Sequence, residues 1–202
     1  NFRLLQVCQF MICHKSDSES KILCKNLLSQ GNIVIIPTDT VYGVSGIVSD
    51  DTTFDKNVQK KIINVKGRDE SKKMIQLISS PLDIYKYTNQ KIPNSILSYW
   101  PGPLTIIVKS KENPSETIAF RCPGDEWLRD IIYLCNFPLY STSANISGLP
   151  ILETEKEIVN VFENLVDLIV LDGDKKNSLP STIIKIDDEI TVIREGALKI
   201  KL

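Results

Sequence analysis

Two rhythms of apolar residues alternate along this chain of 202 residues. "NIVII" is a short β-branched run closed off by Pro37, the pattern of a buried strand over Ile33 to Ile36. Before it, "SDSESKILCKNLLSQG" opens with capping residues, carries Ile22, Leu23, Leu27 and Leu28 at helical spacing, and stops at Gly31. "DDTTFDKNVQKKIINVKG" predicts a second helix with Phe54, Val58, Ile62 and Val65 on one face. "MIQLIS" follows as a strand, and "PLDIYKYT" and "PNSILSYW" as short helices led by proline. "LTIIVK", "TIAFR" and "PLYSTS" are predicted strands, with helical "DEWLRDIIYL" before the third. Helical "EKEIVNVFENL" and the strands "VDLIVLDG", "STIIKID" and "ITVIREG" complete the set. Alternation early and crowded strands late predict an α/β domain with a mixed sheet.

The first stretch, "NFRLLQVCQFMICHK", reads as a strand of this domain; Arg3, Gln6 and Gln9 interrupt it, and neither a basic start nor a cleavage site accompanies it. No apolar run approaches the ~20 residues that span a bilayer. Residues are 42% apolar and 24% charged, with a net charge of -1, which excludes a surface built throughout to grip nucleic acid or an anionic membrane. With no repeat or linker, one domain over residues 1–202 is the expectation. The five cysteines (Cys8, Cys13, Cys24, Cys122 and Cys135) form no C-x-x-C pair, and His14 is the one histidine. That inventory argues against zinc and suits reduced thiols in a cytoplasmic protein.

Neither a P-loop nor a dinucleotide-binding fingerprint is present, and any chemistry has to do without imidazole. Lysine, arginine and hydroxyls remain. From Lys56 to Lys73 the chain holds six lysines and one arginine against Asp69 and Glu70. A solvated helix face is the usual fate of such a run. Yet Lys66 and Arg68 straddle Gly67 at the predicted helix end, a placement suited to phosphate. Hydroxyls crowd three strand termini: Thr38 and Thr40 after "NIVII", Ser141 to Ser143 and then Asn145 and Ser147 in "LYSTSANISG", and Ser181 and Thr182 in "PSTIIKI". Arg121 ends one strand and Arg194 another, and in open α/β sheets ligands sit outside strand ends. "WPGP" at Trp100 to Pro103 predicts a rigid corner around a buried tryptophan.

"PTDTVYG", "KGR", "WPGPLT", "FRCP", "STSANISG", "STII" and "IREGA" occur in an order that resembles the YrdC-like proteins, the threonylcarbamoyl-adenylate synthase family, over about Gly31 to Ala197. The chain resembles the short, single-domain type. The resemblance implies a twisted mixed parallel/antiparallel sheet with flanking helices around a concave basic cavity. It implies an L-threonylcarbamoyladenylate synthase that makes threonylcarbamoyl-AMP and pyrophosphate from ATP, L-threonine and bicarbonate. A separate transferase would then move the product's threonylcarbamoyl group onto tRNA beside the anticodon.

By that resemblance Thr38, Arg121, Ser141 and Thr182 contact threonine. Lys66, Arg68, Thr117, Ser143, Asn145 and Arg194 line the ATP side, with Lys66 and Arg68 offsetting charge at the phosphates. No tightly bound cofactor is expected; Mg2+ arrives with ATP, and Asp39 is the nearest carboxylate. Two departures stand out: Asp69 replaces the proline that often follows the K-x-R motif, and Leu77 stands near the position of a family histidine. A catalytically silent YciO-type paralogue that binds RNA or nucleotide is the alternative. The basic run and the missing family histidine favour it, and the intact K-x-R, S-x-N and terminal arginine favour the synthase.

Overall fold

A computed structural model describes residues 10–67, 69–70 and 73–200. Its ten strands form one sheet in the order β1-β8-β2-β3-β7-β4-β6-β5-β9-β10. The first half supplies β1 (Met11–His14), α1 (Ser20–Ser29), β2 (Val34–Ile36), β3 (Gly43–Ile47), α2 (Thr52–Lys66) and β4 (Ile75–Leu77). A 3-10 helix (Pro81–Lys86) and α3 (Asn94–Leu97) lead into β5 (Leu104–Lys109) and β6 (Thr117–Arg121). Then come α4 (Glu126–Cys135), β7 (Leu139–Ser143), α5 (Glu155–Phe162), β8 (Leu168–Leu171), β9 (Thr182–Ile186) and β10 (Ile190–Arg194). β8 lies parallel to β1 and β2, and β4 to β6 and β5 to β9, while β7 runs antiparallel to both β3 and β4. The sheet is mixed, as the element pattern predicts. No helix among the described residues is long and apolar enough to cross a membrane.

Local chemistry sets the helix ends. Asp51 caps α2 by accepting from the amides of Thr53 and Phe54, and Gly67 ends it at φ 55°, the left-handed conformation glycine tolerates best. Thr154 and Glu157 form a reciprocal capping box at the start of α5. The predicted apolar stripe of α2 is the buried one: Val58, Ile62 and Val65 face the core, with Phe54 packed beside them. A larger cluster joins α1, α2, α4 and α5 to β2, β3, β7 and β8. A smaller one gathers Ile84, Ile96, Trp100, Leu104, Ile106, Phe120 and Ile184 around β5, β6 and β9. The three-residue β4 stands between the two, pairing with β7 on one side and β6 on the other.

One central strand escapes the sequence pattern. β3 reads "GVSGI", and two glycines and a serine in five residues give no strand signal. Burial on both faces explains the glycines. A Cβ on Gly46 would stand 2.6 Å from Val58 Cγ1 of α2 and 3.0 Å from Ile33 Cδ1, so the bare backbone lets the helix lie against the sheet. Gly46→Ala is expected to lose about 1–3 kcal/mol through overpacking. Urea unfolding with an unchanged m-value checks it; wild-type stability would mean α2 has room to spare.

Candidate functional site

Past Pro37, the chain leaves β2 in a turn held by its own hydroxyls. Thr38 Oγ1 donates to Val41 O (2.7 Å) and accepts from the Thr40 amide (3.0 Å), closing a hydroxyl-backbone turn in a buried place. Tyr42 fixes the far end of this turn: its OH donates to Gly173 O (2.8 Å) and accepts from the Asp172 amide (2.8 Å), tying it to the loop after β8. Burial lifts the Tyr42 phenol to about 12, against the opposing pull of the Asp172 N–H.

Arg121 ends β6 and is buried beside this turn. Its Nη2 donates to Asp39 Oδ1 (2.5 Å), Nη1 to Thr40 Oγ1 (2.8 Å) and Nε to Gly102 O (3.2 Å). The Gly102 carbonyl comes from the "WPGP" corner, where buried Trp100 donates to Leu104 O (2.6 Å) and Gly102 N donates to Cys122 O (2.9 Å). The second oxygen of Asp39 accepts from the Gly124 amide (2.9 Å). Three of the five guanidinium N–H groups are thus committed and two remain for a ligand. Arg194, on β10, bonds Ser181 O through Nη2 (2.7 Å) and Nε (3.3 Å). Burial and the nearby Arg121 charge both push its pKa down, yet a guanidinium stays charged at neutral pH.

Both arginines line one cavity of about 220 Å³ at the middle of the sheet, with Lys73 as a third cation. Thr38, Thr40, Ser141, Ser143 and Ser181 supply hydroxyls to its wall, and Ile75 and Leu77 of β4 an apolar strip. The lining comes from strands on both sides of β4, so each half of the sheet contributes. Oxyanions fit such a wall, because cations and hydroxyl donors meet there with no acid among the described lining residues.

Of the residues singled out in the sequence, Thr38, Arg121, Ser141, Ser143 and Arg194 line this cavity. Lys66 and Asn145 stand behind Ser143. Lys66 Nζ donates to Ser143 O and to Asn145 Oδ1 (2.7 Å), and Ser143 Oγ donates to the same Oδ1 (2.7 Å). Lys66 is buried, so the solvated-face reading of the basic run fails at its centre.

Thr182 is placed differently from the expectation. Its hydroxyl donates to Leu198 O (2.5 Å) and accepts from the amides of Gly196 and Leu198, so it fastens the chain after β10. Strand alternation turns the neighbouring Ser181 and Ile183 to the cavity instead. Thr117 lines a neighbouring cavity of about 240 Å³ with Gln59, Gln76 and Tyr140; Lys73 borders both cavities, and its Nζ donates to Thr117 O (2.8 Å). Arg68 lies outside the described residues. Asp39 has both oxygens engaged, by Arg121 and by Gly124 N, and offers no free carboxylate for a metal ion. Sequence reasoning did not assign Thr40 or Lys73 a site role; Thr40 sits in the quoted hydroxyl turn, so that signal was in view.

The chain is an α/β domain with a mixed sheet, at whose middle two arginines and a row of hydroxyls line one cavity. Residues 26–196 match the Sua5/YciO/YrdC family model, described as "Telomere recombination". The chain belongs to this family. A Methanocaldococcus jannaschii protein named "Putative threonylcarbamoyl-AMP synthase" is 36% identical over 189 residues, covering 90% of this chain and 87% of that protein. The structure of Pyrococcus abyssi Sua5 complexed with L-threonine superposes with a TM-score of 0.79 at 25% identity, covering 94% of this chain and 58% of that longer one. Escherichia coli YciO, at 24% identity and a TM-score of 0.78, shares the fold over 96% of this chain and 98% of its own.

Asp39→Ala leaves the buried Arg121 charge without its carboxylate. The expected loss is about 3 kcal/mol, the lower end for breaking a buried pair, because the Asp39 side chain is 19% exposed. Arg121→Met combined with Asp39→Ala is expected to cost less than the two losses summed, measured by chemical denaturation. Simple additivity would mean the pair is not coupled.

Proposed function

We propose that this chain is an L-threonylcarbamoyladenylate synthase, joining L-threonine, bicarbonate and ATP into threonylcarbamoyl-AMP with release of pyrophosphate. The observation that carries the reading is Arg121: a buried cation with two N–H groups to spare, at the end of a hydroxyl-walled cavity that also holds Arg194. The relative from M. jannaschii and the threonine complex of P. abyssi Sua5 support it. The YciO likeness is one of fold and adds nothing to the alternative reading.

Two charges have to be met. The threonine carboxylate pairs with the free edge of Arg121, with Thr38 and Ser141 alongside. The ATP phosphates lie toward Ser143 and Arg194. Lys66 and Asn145 hold Ser143 in place, and Lys66 and Arg68 add positive charge where pyrophosphate departs. Nucleotidyl transfer of this kind depends on positioning and on offset charge, which suits a site without histidine. Magnesium comes with ATP as its counter-ion, since Asp39 is committed elsewhere. The product passes to a tRNA threonylcarbamoyltransferase in the cytoplasm. A weak contact with tRNA through a local basic patch belongs to this reading; the net charge of -1 argues only against a surface that is basic throughout.

Pyrophosphate release from purified protein tests the reading: release that requires both threonine and bicarbonate supports it, and ATP binding without such turnover moves the chain to the silent alternative. Arg121→Lys keeps the charge and loses the fork. It is expected to raise the threonine requirement about ten- to a hundredfold while the ATP requirement stays within about twofold. Equal damage to both would put Arg121 on the wrong substrate.

Lys66→Ala is expected to lower the maximal rate even at saturating ATP, and to lower stability by about 1.5–3 kcal/mol through its lost charged hydrogen bonds. Steady-state kinetics beside a thermal melt separate the two effects. A normal maximal rate in a folded variant would leave Lys66 a purely structural residue.

A further inference from the structure

Lys15, the first residue beyond β1, lies outside the cavity and ties together the two loops that grip its hydroxyl turn. The Lys15 amide donates to Leu171 O (2.8 Å), so the sheet sets its backbone. Its Nζ donates to Asp125 Oδ2 (2.5 Å) and to Asp172 Oδ2 (3.2 Å), beside the Trp127 ring. Both carboxylates stand next to a bond that holds the turn. Asp125 follows Gly124, whose amide donates to Asp39 Oδ2 (2.9 Å), and Asp172 supplies the amide that the Tyr42 OH accepts (2.8 Å). Gly124 has to be bare: a Cβ there would stand 2.9 Å from Asp39 Oδ2. The two arms are unequal. Asp172 has a second cation in Lys175 (3.2 Å), whereas among the described residues Lys15 is the one cation paired with Asp125. The Asp125 side chain is 10% exposed, with its other oxygen capping α4 at the Leu128 amide (3.1 Å).

We propose that Lys15 is a positioning residue for the Arg121 end of the cavity, acting through Asp125 and Gly124 on the Asp39–Arg121 pair. The proposal rests on the synthase reading above, in which that end receives threonine. Without the ammonium, Asp125 is a nearly buried carboxylate left without its cation and set beside a like charge on Asp172. It relieves both by shifting toward water, and the Gly124 amide moves with it, off Asp39. An Asp39 carboxylate freed at Oδ2 turns together with the guanidinium it pairs, and the two spare Arg121 N–H groups lose their aim. Displacements well under 1 Å are enough to weaken a charged, directed contact. The effect has a direction. Ser143 is held by Asn145, and Arg194 by Ser181, with no bond from Asp125, Gly124 or Asp39 to either. The threonine requirement therefore rises while the ATP requirement does not.

The test is pyrophosphate release with threonine and ATP varied in turn, beside hydrogen exchange of the Gly124 amide followed by NMR in the unliganded protein. Lys15→Met is expected to raise the threonine requirement about three- to tenfold, with the ATP requirement within about twofold of wild type. Exchange at Gly124 should quicken about fivefold or more. Lys15→Arg keeps the charge and is expected to restore both readouts to within about twofold. In an Asp39→Asn background, Lys15→Met should change the threonine requirement by less than about twofold, because the link is already cut. A lower melting temperature with an unchanged threonine requirement overturns the proposal and leaves Lys15 a structural tie. Equal rises for threonine and ATP overturn it as well, and so does a full effect persisting in Asp39→Asn. If Lys15→Met does not fold, Lys15→Gln, which keeps a donor without the charge, takes its place. Wild type without threonine-dependent release is a separate result that removes the synthase reading; Gly124 exchange needs no substrate and still decides whether Lys15 holds Asp39 in place.

Discussion

The ion pair between Arg121 and Asp39 holds the site together. Arg121 belongs to the half of the sheet packed on the smaller core, and Asp39 to the hydroxyl turn that leaves the larger one. One guanidinium touches that turn twice and the proline-glycine corner once. A buried charge is tolerable only when its partners are in place, so the turn, the corner and the end of β6 are fixed relative to one another. The orientation of the two spare N–H groups follows from the same bonds. The alignment of the cavity wall and the integrity of the fold therefore depend on one side chain.

Much of this was legible in the sequence, and the exceptions have physical causes. Strands and helices with periodic apolar residues appear where the pattern predicts them, because burial of one face is what the pattern encodes. β3 was not legible: both of its faces are pressed, by α2 on one and the cavity on the other, and glycine answers that with no hydrophobic signal. The hydroxyl-rich termini were legible as a set, but not which hydroxyl faces inward. Ser181 and Thr182 differ by one residue, and strand alternation sends one to the cavity and the other to the chain after β10. Lys66 was legible as unusual, while its burial beneath Ser143 depends on a contact across 77 residues that no local pattern carries.

The described residues that line the cavity include no histidine, acid or cysteine. Its phenol, Tyr42, is raised to about 12, and burial takes the Cys122 thiol next to Arg121 to about 12 as well. Burial holds both of these groups in their neutral forms at neutral pH.

β10 is the last strand in the sheet order, held on one side by β9 through a register that shifts between Val192 and Arg194. Most of its residues are exposed. β10 has a single neighbour and a shifted ladder, with the chain beyond it fastened by Thr182, whereas β6 is paired on both sides. The two arginines are thus mounted on supports of unequal stiffness. Of the two arginines that line one cavity, Arg121 is carried by a strand paired on both sides, and Arg194 is held by its bonds to Ser181 and by a single strand pairing.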